Sequence, residues 1–225
     1  MKVDIKKIAG WYAAELVQDA SVIGLGTGST VSFVLERLSQ RIKQDGLRVT
    51  GIPTSKDTEA KARELGIELT SLREHPRVDI TLDGADEVDG AKNLIKGGGG
   101  ALLREKVLAA ASKELVIVIG ENKVVDRLGI GFLLPVEVLP YAVPYVQDAV
   151  KEFGCQPFLR ADASGDTFIT DNGNHIIDCR FDGIDDPGDM EIRINMIPGV
   201  VENGLFVGRA GRVVVGNEDG SVRLL

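Results

Sequence analysis

Apolar and polar positions in the first half of the chain switch repeatedly between a strand-like and a helix-like period. The run SVIGLG at 21–26 is short, apolar and β-branched, and it ends in glycine. The stretch at 29–46 then places Val31, Val34, Leu35, Leu38 and Ile42 at the three- and four-residue steps of one helix face, with Gly46 as a stop. The alternation continues as a strand at 47–55, a helix at 56–66 closed by Gly66, strands at 67–72 and 78–86, a helix at 101–113 and an apolar strand at 114–121. Strands that alternate with helices in this way predict a parallel sheet covered on both faces. The first 17 residues, charged at Asp4, Lys6, Lys7 and Glu15, read as an amphipathic helix rather than a signal peptide.

The pattern changes near Gly131. Pro135, Pro140 and Pro144 punctuate the next segment, and a helix is predicted over 145–153. Ser164–Gly165 and Asn172–Gly173 have the composition of hairpin turns. A helix at about 187–196 follows, and the tail reads strand–turn–strand. This predicts a small α+β unit at 131–205 set into a larger unit made of 1–130 and 206–225.

With 225 residues and 44% hydrophobic content, the chain can bury one large core or two modest ones. Its net charge of -8 argues against nucleic acid as a partner, because phosphate backbones are held by basic patches. No apolar run has the length that spans a bilayer. Cys155 and Cys179 are the only cysteines and show no CxxC spacing, which points to a reduced cytoplasmic protein with two ordinary buried thiols.

Four stretches carry candidate chemistry. GLGTGST at 24–30 follows a strand and opens a helix, so free N–H groups and the hydroxyls of Thr27, Ser29 and Thr30 make an anion site. It is neither a dinucleotide fingerprint, which needs glycine where Ser29 stands, nor a Walker loop, which needs a lysine before the Ser-Thr pair. A tight strand–helix turn with a Ser/Thr cap would carry the same residues. TLDGADEVD at 81–89 ends a strand with Asp83 and Asp86 around Gly84 and Ala85, a turn suited to sugar hydroxyls or acid–base work. Its acids recur every third residue, which does not fit a calcium loop; a solvated acidic turn is the plain alternative. KGGGGALLREK puts Lys96 before four glycines and Glu105 in the helix behind them, a loop able to turn fixed N–H dipoles on developing negative charge. Against that, Glu105 sits in a charged REK triplet of the kind found on surfaces. IGENKVVD ends another strand with Lys123, which gains meaning only from the company of the other three.

Taken in order, GTGST, DGADEVD, KGGGGALLREK, the lysine after VIGEN, ITDNGNHIID and IPGVVENGLF resemble the ribose 5-phosphate isomerase A family over essentially the whole chain. Gly100 and Leu103 stand where that family more often has alanine and threonine, and Cys155 lies in a turn that varies within it. None of these departures removes a proposed catalytic group.

The resemblance implies an aldose–ketose isomerase that interconverts D-ribose 5-phosphate and D-ribulose 5-phosphate, in the non-oxidative pentose phosphate pathway, with no metal or organic cofactor. It implies Glu105 as the base that moves a proton between C2 and C1 through an enediolate. Asp83 and Asp86, with Gly84 and Ala85, would hold sugar hydroxyls and assist ring opening. Lys96 and the N–H groups of Gly97, Gly98 and Gly99 would stabilise the oxyanion. Thr27, Gly28, Ser29 and Thr30 would hold the phosphate, with Lys123 adding charge and Lys6 as a further candidate.

The fold it implies is α/β: a Rossmann-like parallel-sheet core with an inserted ferredoxin-like α+β domain, assembled as a homodimer or a dimer of dimers. The stretch from Phe132 to Tyr145 fits either an interface or a core. Two rivals share such architecture. A sugar-phosphate sensor would need neither Glu105 nor the Asp pair and would carry a DNA-binding module. A coenzyme-A transferase would use a nucleophilic glutamate and a longer chain.

Overall fold

The structure, a computed structural model, describes residues 4–225. In chain order its elements are α1 (Ile5–Glu15), β1 (Ser21–Leu25), α2 (Ser29–Asp45), β2 (Val49–Pro53), α3 (Lys56–Glu64), β3 (Glu68–Leu69), β4 (Ile80–Asp83), β5 (Glu87–Val88) and β6 (Leu94–Ile95). There follow α4 (Leu102–Ala111), β7 (Leu115–Gly120), β8 (Leu134–Val138), α5 (Val143–Ala149), β9 (Gln156–Leu159), β10 (His175–Arg180), α6 (Pro187–Asn195), β11 (Val200–Asn203), β12 (Leu205–Phe206), β13 (Arg212–Gly216) and β14 (Val222–Leu224). The chain forms two compact units. The first runs through Ala85 and includes Arg104–Val124 and Arg209–Leu225; the second is Asp86–Leu103 with Val125–Gly208.

The first unit is built on a seven-stranded sheet in the order β14-β13-β7-β4-β1-β2-β3. Every pairing is parallel except that of β13 with β14. All six residues of β7 and all four of β4 are buried, which is why these strands read as unbroken apolar runs rather than alternating ones. Val31, Val34, Leu35 and Leu38 of α2 are buried as their spacing predicts. They share a core with Ile23, Leu25, Leu82, Val116 and Val118 of the sheet. Helix α1 packs against α2 through small residues: a Cβ on Gly10 would lie 2.9 Å from Phe33 Cβ and 3.2 Å from the Val34 nitrogen. From β1 the chain moves outward to β2 and β3, then returns to β4 on the other side of β1. The carboxyl ends of β1 and β4 therefore flank the switch point of a Rossmann-like sheet, where such folds bind ligands.

The second unit contains a four-stranded antiparallel sheet in the order β11-β8-β10-β9, with α5 joining β8 to β9 and α6 joining β10 to β11. This βαββαβ arrangement is ferredoxin-like. The helix expected over 145–153 is α5 plus a 3-10 turn, Val150–Phe153, stopped by Gly154 at φ +80°. Of the two expected hairpin turns, Ser164–Gly165 is closed by a bridge between Ala161 and Thr167. The Asn172–Gly173 turn has no strand pair of its own. There Thr170, Asn172 and Asn174 donate to the buried Glu137 Oε1 at 2.9, 3.1 and 2.9 Å.

A second, three-stranded sheet, β12-β6-β5, explains why the units do not divide at 130 and 205 as the sequence pattern drew them. Leu205 and Phe206 pair with Ile95 and Leu94. The Val125 N–H donates to the Val88 carbonyl at 2.9 Å. Residues 86–103 are thus sewn into the second unit by two-residue strands too short to show a period. Glu87 adds a tie of its own, accepting the N–H groups of Gly129 at 2.7 Å and Gly131 at 2.9 Å from a position that is 3% exposed. The satisfied carboxylate fixes the segment leading to Phe132.

Candidate active site

The first unit brings its candidate residues to the carboxyl edge of the sheet. Strand β1 leaves the sheet at Gly26, whose N–H donates to the Leu82 carbonyl at 3.0 Å. Only glycine fits there, because a Cβ would lie 2.1 Å from Asp83 Oδ1 and 2.6 Å from Asp83 Cα. That closeness lets the fully buried Asp83 accept the Thr27 N–H at 3.1 Å and the Gly84 N–H at 2.7 Å on one oxygen. The carboxylate is thereby held in one orientation at the end of β4. The Thr27 hydroxyl meets those of Thr54 at 2.8 Å, Ser55 at 2.9 Å and Thr58 at 3.3 Å, and Thr58 donates to the Gly26 carbonyl at 2.8 Å. This cluster, at the N-terminus of α3, buttresses the turn.

Gly28 caps α2 at φ +111° without a side-chain hydrogen bond, and no acidic residue lies in the first turn. The opening N–H groups of a 17-residue helix thus face outward beside the exposed Gly28 and Ser29, an arrangement that favours an anion. Lys6 Nζ reaches the Ser29 hydroxyl at 2.9 Å. Ile5, its neighbour, packs on the end of β7, where a Cβ on Gly120 would be 2.5 Å from Ile5 Cδ1. Lys123 follows in the 3-10 turn after β7. One sheet edge therefore carries the α2 N-terminus, Lys6, Lys123 and Asp83. Glu105 lies in the first turn of α4 and is 4% exposed, so it is not the solvated member of a charged triplet.

The second unit holds Asp86, Lys96 and the glycine loop. Asp86 donates its N–H to the Ile95 carbonyl at 2.8 Å and accepts the Gly98 N–H at 2.8 Å. Lys96 is 2% exposed; its backbone is tied to Gly204 O at 2.9 Å and its ammonium stands 5.4 Å from the centre of the Phe206 ring. Gly97 at φ +103° and Gly100 at φ +80° bend the loop, and the Gly100 N–H closes it on the Gly97 carbonyl at 3.0 Å. Gly98 and Gly99 are exposed, so a ligand has access to their backbone.

Residues 50–220 match the sequence profile of ribose 5-phosphate isomerase A, also called phosphoriboisomerase A. The chain belongs to this family. It is 46% identical to the ribose 5-phosphate isomerase A of Bacillus mycoides over 97% of this chain and 98% of the relative. It is 50% identical to that of Gloeobacter violaceus over 98% and 96%. The solved structure of the Methanocaldococcus jannaschii isomerase superposes with a TM-score of 0.94 at 43% identity, covering 99% of this chain and 98% of that one. A D-ribose 5-phosphate isomerase solved in complex with phospho-erythronic acid superposes with a TM-score of 0.96 at 40% identity, covering 100% and 99%. The activity of this family, and of this chain within it, is the interconversion of ribose 5-phosphate and ribulose 5-phosphate.

Three groups in these units escaped the sequence reading. Thr54, Ser55 and Thr58 were legible in principle, since S-x-x-T at a strand end is a capping pattern and Ser55 does accept the Thr58 N–H at 3.1 Å. Glu87 lay inside a motif already singled out for its neighbours. Arg160 carried no local signal at all, yet its guanidinium donates to the Gly97 carbonyl at 2.9 Å and the Gly98 carbonyl at 3.1 Å. Among the described residues, no group of three or more His, Cys, Asp or Glu side chains is placed to hold a metal ion, and no helix is long and apolar enough to cross a membrane.

Proposed function

We propose that isomerisation runs through an enediolate with Glu105 as the base that shuttles one proton between C2 and C1. The observation that carries this reading is the burial of a carboxylate in the first turn of the helix that directly follows a glycine loop. One carboxylate serves both carbons because they are adjacent. Asp83 and Asp86, with Gly84 and Ala85, hold the sugar hydroxyls and assist ring opening. Lys96 and the glycine loop stabilise the oxyanion as it forms. Since the Gly98 N–H is engaged by Asp86 and Gly97 is buried, the Gly99 N–H is the exposed loop donor without a partner among the described residues. The α2 N-terminus at Gly28, Ser29 and Thr30 takes the phosphate with Lys6 and Lys123, and Thr27 fixes the turn beneath it.

Phospho-erythronic acid fits this reading as a ligand. Its carboxylate is planar and anionic like the enediolate oxygens, and its hydroxyls and phosphate continue the same chain. The test is turnover of ribose 5-phosphate in deuterium oxide with EDTA present. Ribulose 5-phosphate should form, and one carbon-bound solvent deuterium should enter at the exchanging position. Turnover without any deuterium incorporation, however long the reaction runs, would replace the enediolate with a hydride shift.

The chain also acts, in this proposal, as a cytoplasmic homodimer or dimer of dimers. Strand β8 accounts for Leu134, Val136 and Val138 as core, whereas Leu139, Tyr141 and Tyr145 are 50%, 99% and 58% exposed and offer an apolar face. Light scattering should return a multiple of the 24.1 kDa chain mass; a mass of one chain would refute it.

A further inference from the structure

We propose that Arg160 is a positioning residue for the isomerisation. Its guanidinium, gripped by Asp178, sets the peptide planes of the glycine loop so that the Gly99 N–H is presented to the substrate oxyanion. The proposal rests on the reading of that loop as the oxyanion-stabilising element.

Consecutive glycines have no side chains with which to hold a conformation, and each is costly to order. Something outside the loop must fix it. Two groups do so, from opposite sides. In a trans peptide the carbonyl and the following N–H point in opposite directions, and the described chain contains no cis peptide. The Gly97–Gly98 peptide has its carbonyl on Arg160 Nη1 at 2.9 Å and its N–H on Asp86 Oδ2 at 2.8 Å, so it is held at both ends. The next peptide has the Gly98 carbonyl on the same Nη1 at 3.1 Å. Its N–H, that of Gly99, is thereby turned away from the guanidinium, and no described residue accepts it. Arg160 thus decides where an exposed donor points.

The guanidinium can do this because it is itself immobilised. Arg160 Nε and Nη2 donate to the two oxygens of Asp178 at 2.8 and 2.5 Å, with both side chains about seven-eighths buried, at 13% and 14% exposure. Asp178 belongs to β10, and Arg160 is bonded through its N–H to Ile176 and through its carbonyl to Phe168, at 2.8 and 2.9 Å. The Phe168 ring lies 5.7 Å from the guanidinium and also blocks the loop from behind, since a Cβ on Gly100 would be 2.5 Å from Phe168 Cζ. A rigid β-ladder therefore carries the loop's orientation. An ammonium cannot replace the fork, because it cannot grip a carboxylate with two parallel bonds and reach two carbonyls at once.

The experiment is steady-state kinetics with ribose 5-phosphate, together with phospho-erythronic acid binding, on wild type, Arg160→Met, Arg160→Lys and Asp178→Asn, with Glu105→Gln as a control. Arg160→Met should lower kcat about 30-fold and change KM by less than about threefold, the mark of an interaction made in the transition state. Affinity for phospho-erythronic acid should fall in step with kcat. Arg160→Lys should recover little of the loss. A wild-type kcat in a folded Arg160 variant, or a rise in KM alone, would overturn the proposal. If Arg160→Met does not fold, Asp178→Asn decides: about a tenfold drop in kcat supports the proposal and wild-type kcat refutes it. An inactive wild type would bring down the functional reading and this proposal with it. Normal turnover in the Arg160 variants beside an inactive Glu105→Gln would bring down only the role of Arg160.

Discussion

Glu105→Gln is expected to lower kcat by about three orders of magnitude while leaving the affinity for phospho-erythronic acid within about threefold of wild type. Glutamine keeps the shape and the hydrogen-bonding length of the side chain but cannot take a proton from carbon. Glu105 is 4% exposed, so bulk water has little access to replace it as the acceptor. The oxyanion loop and the phosphate site stay intact in the variant, which is why residual turnover above the uncatalysed rate and tight analogue binding should both survive. Deuterium incorporation should fall with kcat, because both require the same abstraction. Activity near wild type would move the base to Asp83 or Asp86, the other carboxylates of the proposed site. Parallel loss of activity and analogue binding would instead make Glu105 a structural residue.

The regular elements were legible because their periods are long enough to count. The α2 face, over 17 residues, and the unbroken six-residue β7 run announce a parallel sheet. Where an element is short, the pattern fails. The strand expected over 78–86 ends at Asp83, because Gly84 and Ala85 already turn; the one expected over 67–72 is two residues at a sheet edge. Strands β5, β6 and β12 have two residues each, so nothing in the pattern could place 86–103 with the second unit. The candidate site shows the same division. Asp83, Asp86, Lys96 and Glu105 stand in contiguous motifs whose order carries the family resemblance. Arg160 and Asp178 meet the loop only through the β9–β10 register, and about sixty residues separate Arg160 from Gly98, a distance across which local spacing says nothing. Thr27 illustrates a subtler limit. Its residue type suggested a ligand donor, but its hydroxyl is engaged by Thr54, Ser55 and Thr58, partners that only the fold supplies.

Gly98→Val is expected to lower kcat at least about a hundredfold, and the reason lies in which atoms it displaces. A Cβ at this position would stand 2.9 Å from Asp86 Oδ1, 3.0 Å from Asp86 Oδ2 and 2.9 Å from Phe132 Cζ. Valine adds two further carbons on a side chain with little freedom about χ1. Gly98 is absent from the positive-φ glycines, so backbone strain contributes nothing and the effect is steric. The groups pushed are the Phe132 ring and the carboxylate that accepts the Gly98 N–H, and Arg160 holds the carbonyls on the opposite side. The loop therefore cannot retreat without losing one anchor, and losing either one turns the Gly99 N–H away from its direction. Gly98→Ala, with one added carbon against the same atoms, should show a smaller loss of the same kind. Kinetics paired with thermal unfolding separates this from global damage: the catalytic loss should persist at temperatures where the variant is fully folded. If Gly98→Val kept wild-type kcat and analogue affinity, the oxyanion donors would have to lie outside this loop, with Lys96 left as the stabilising charge.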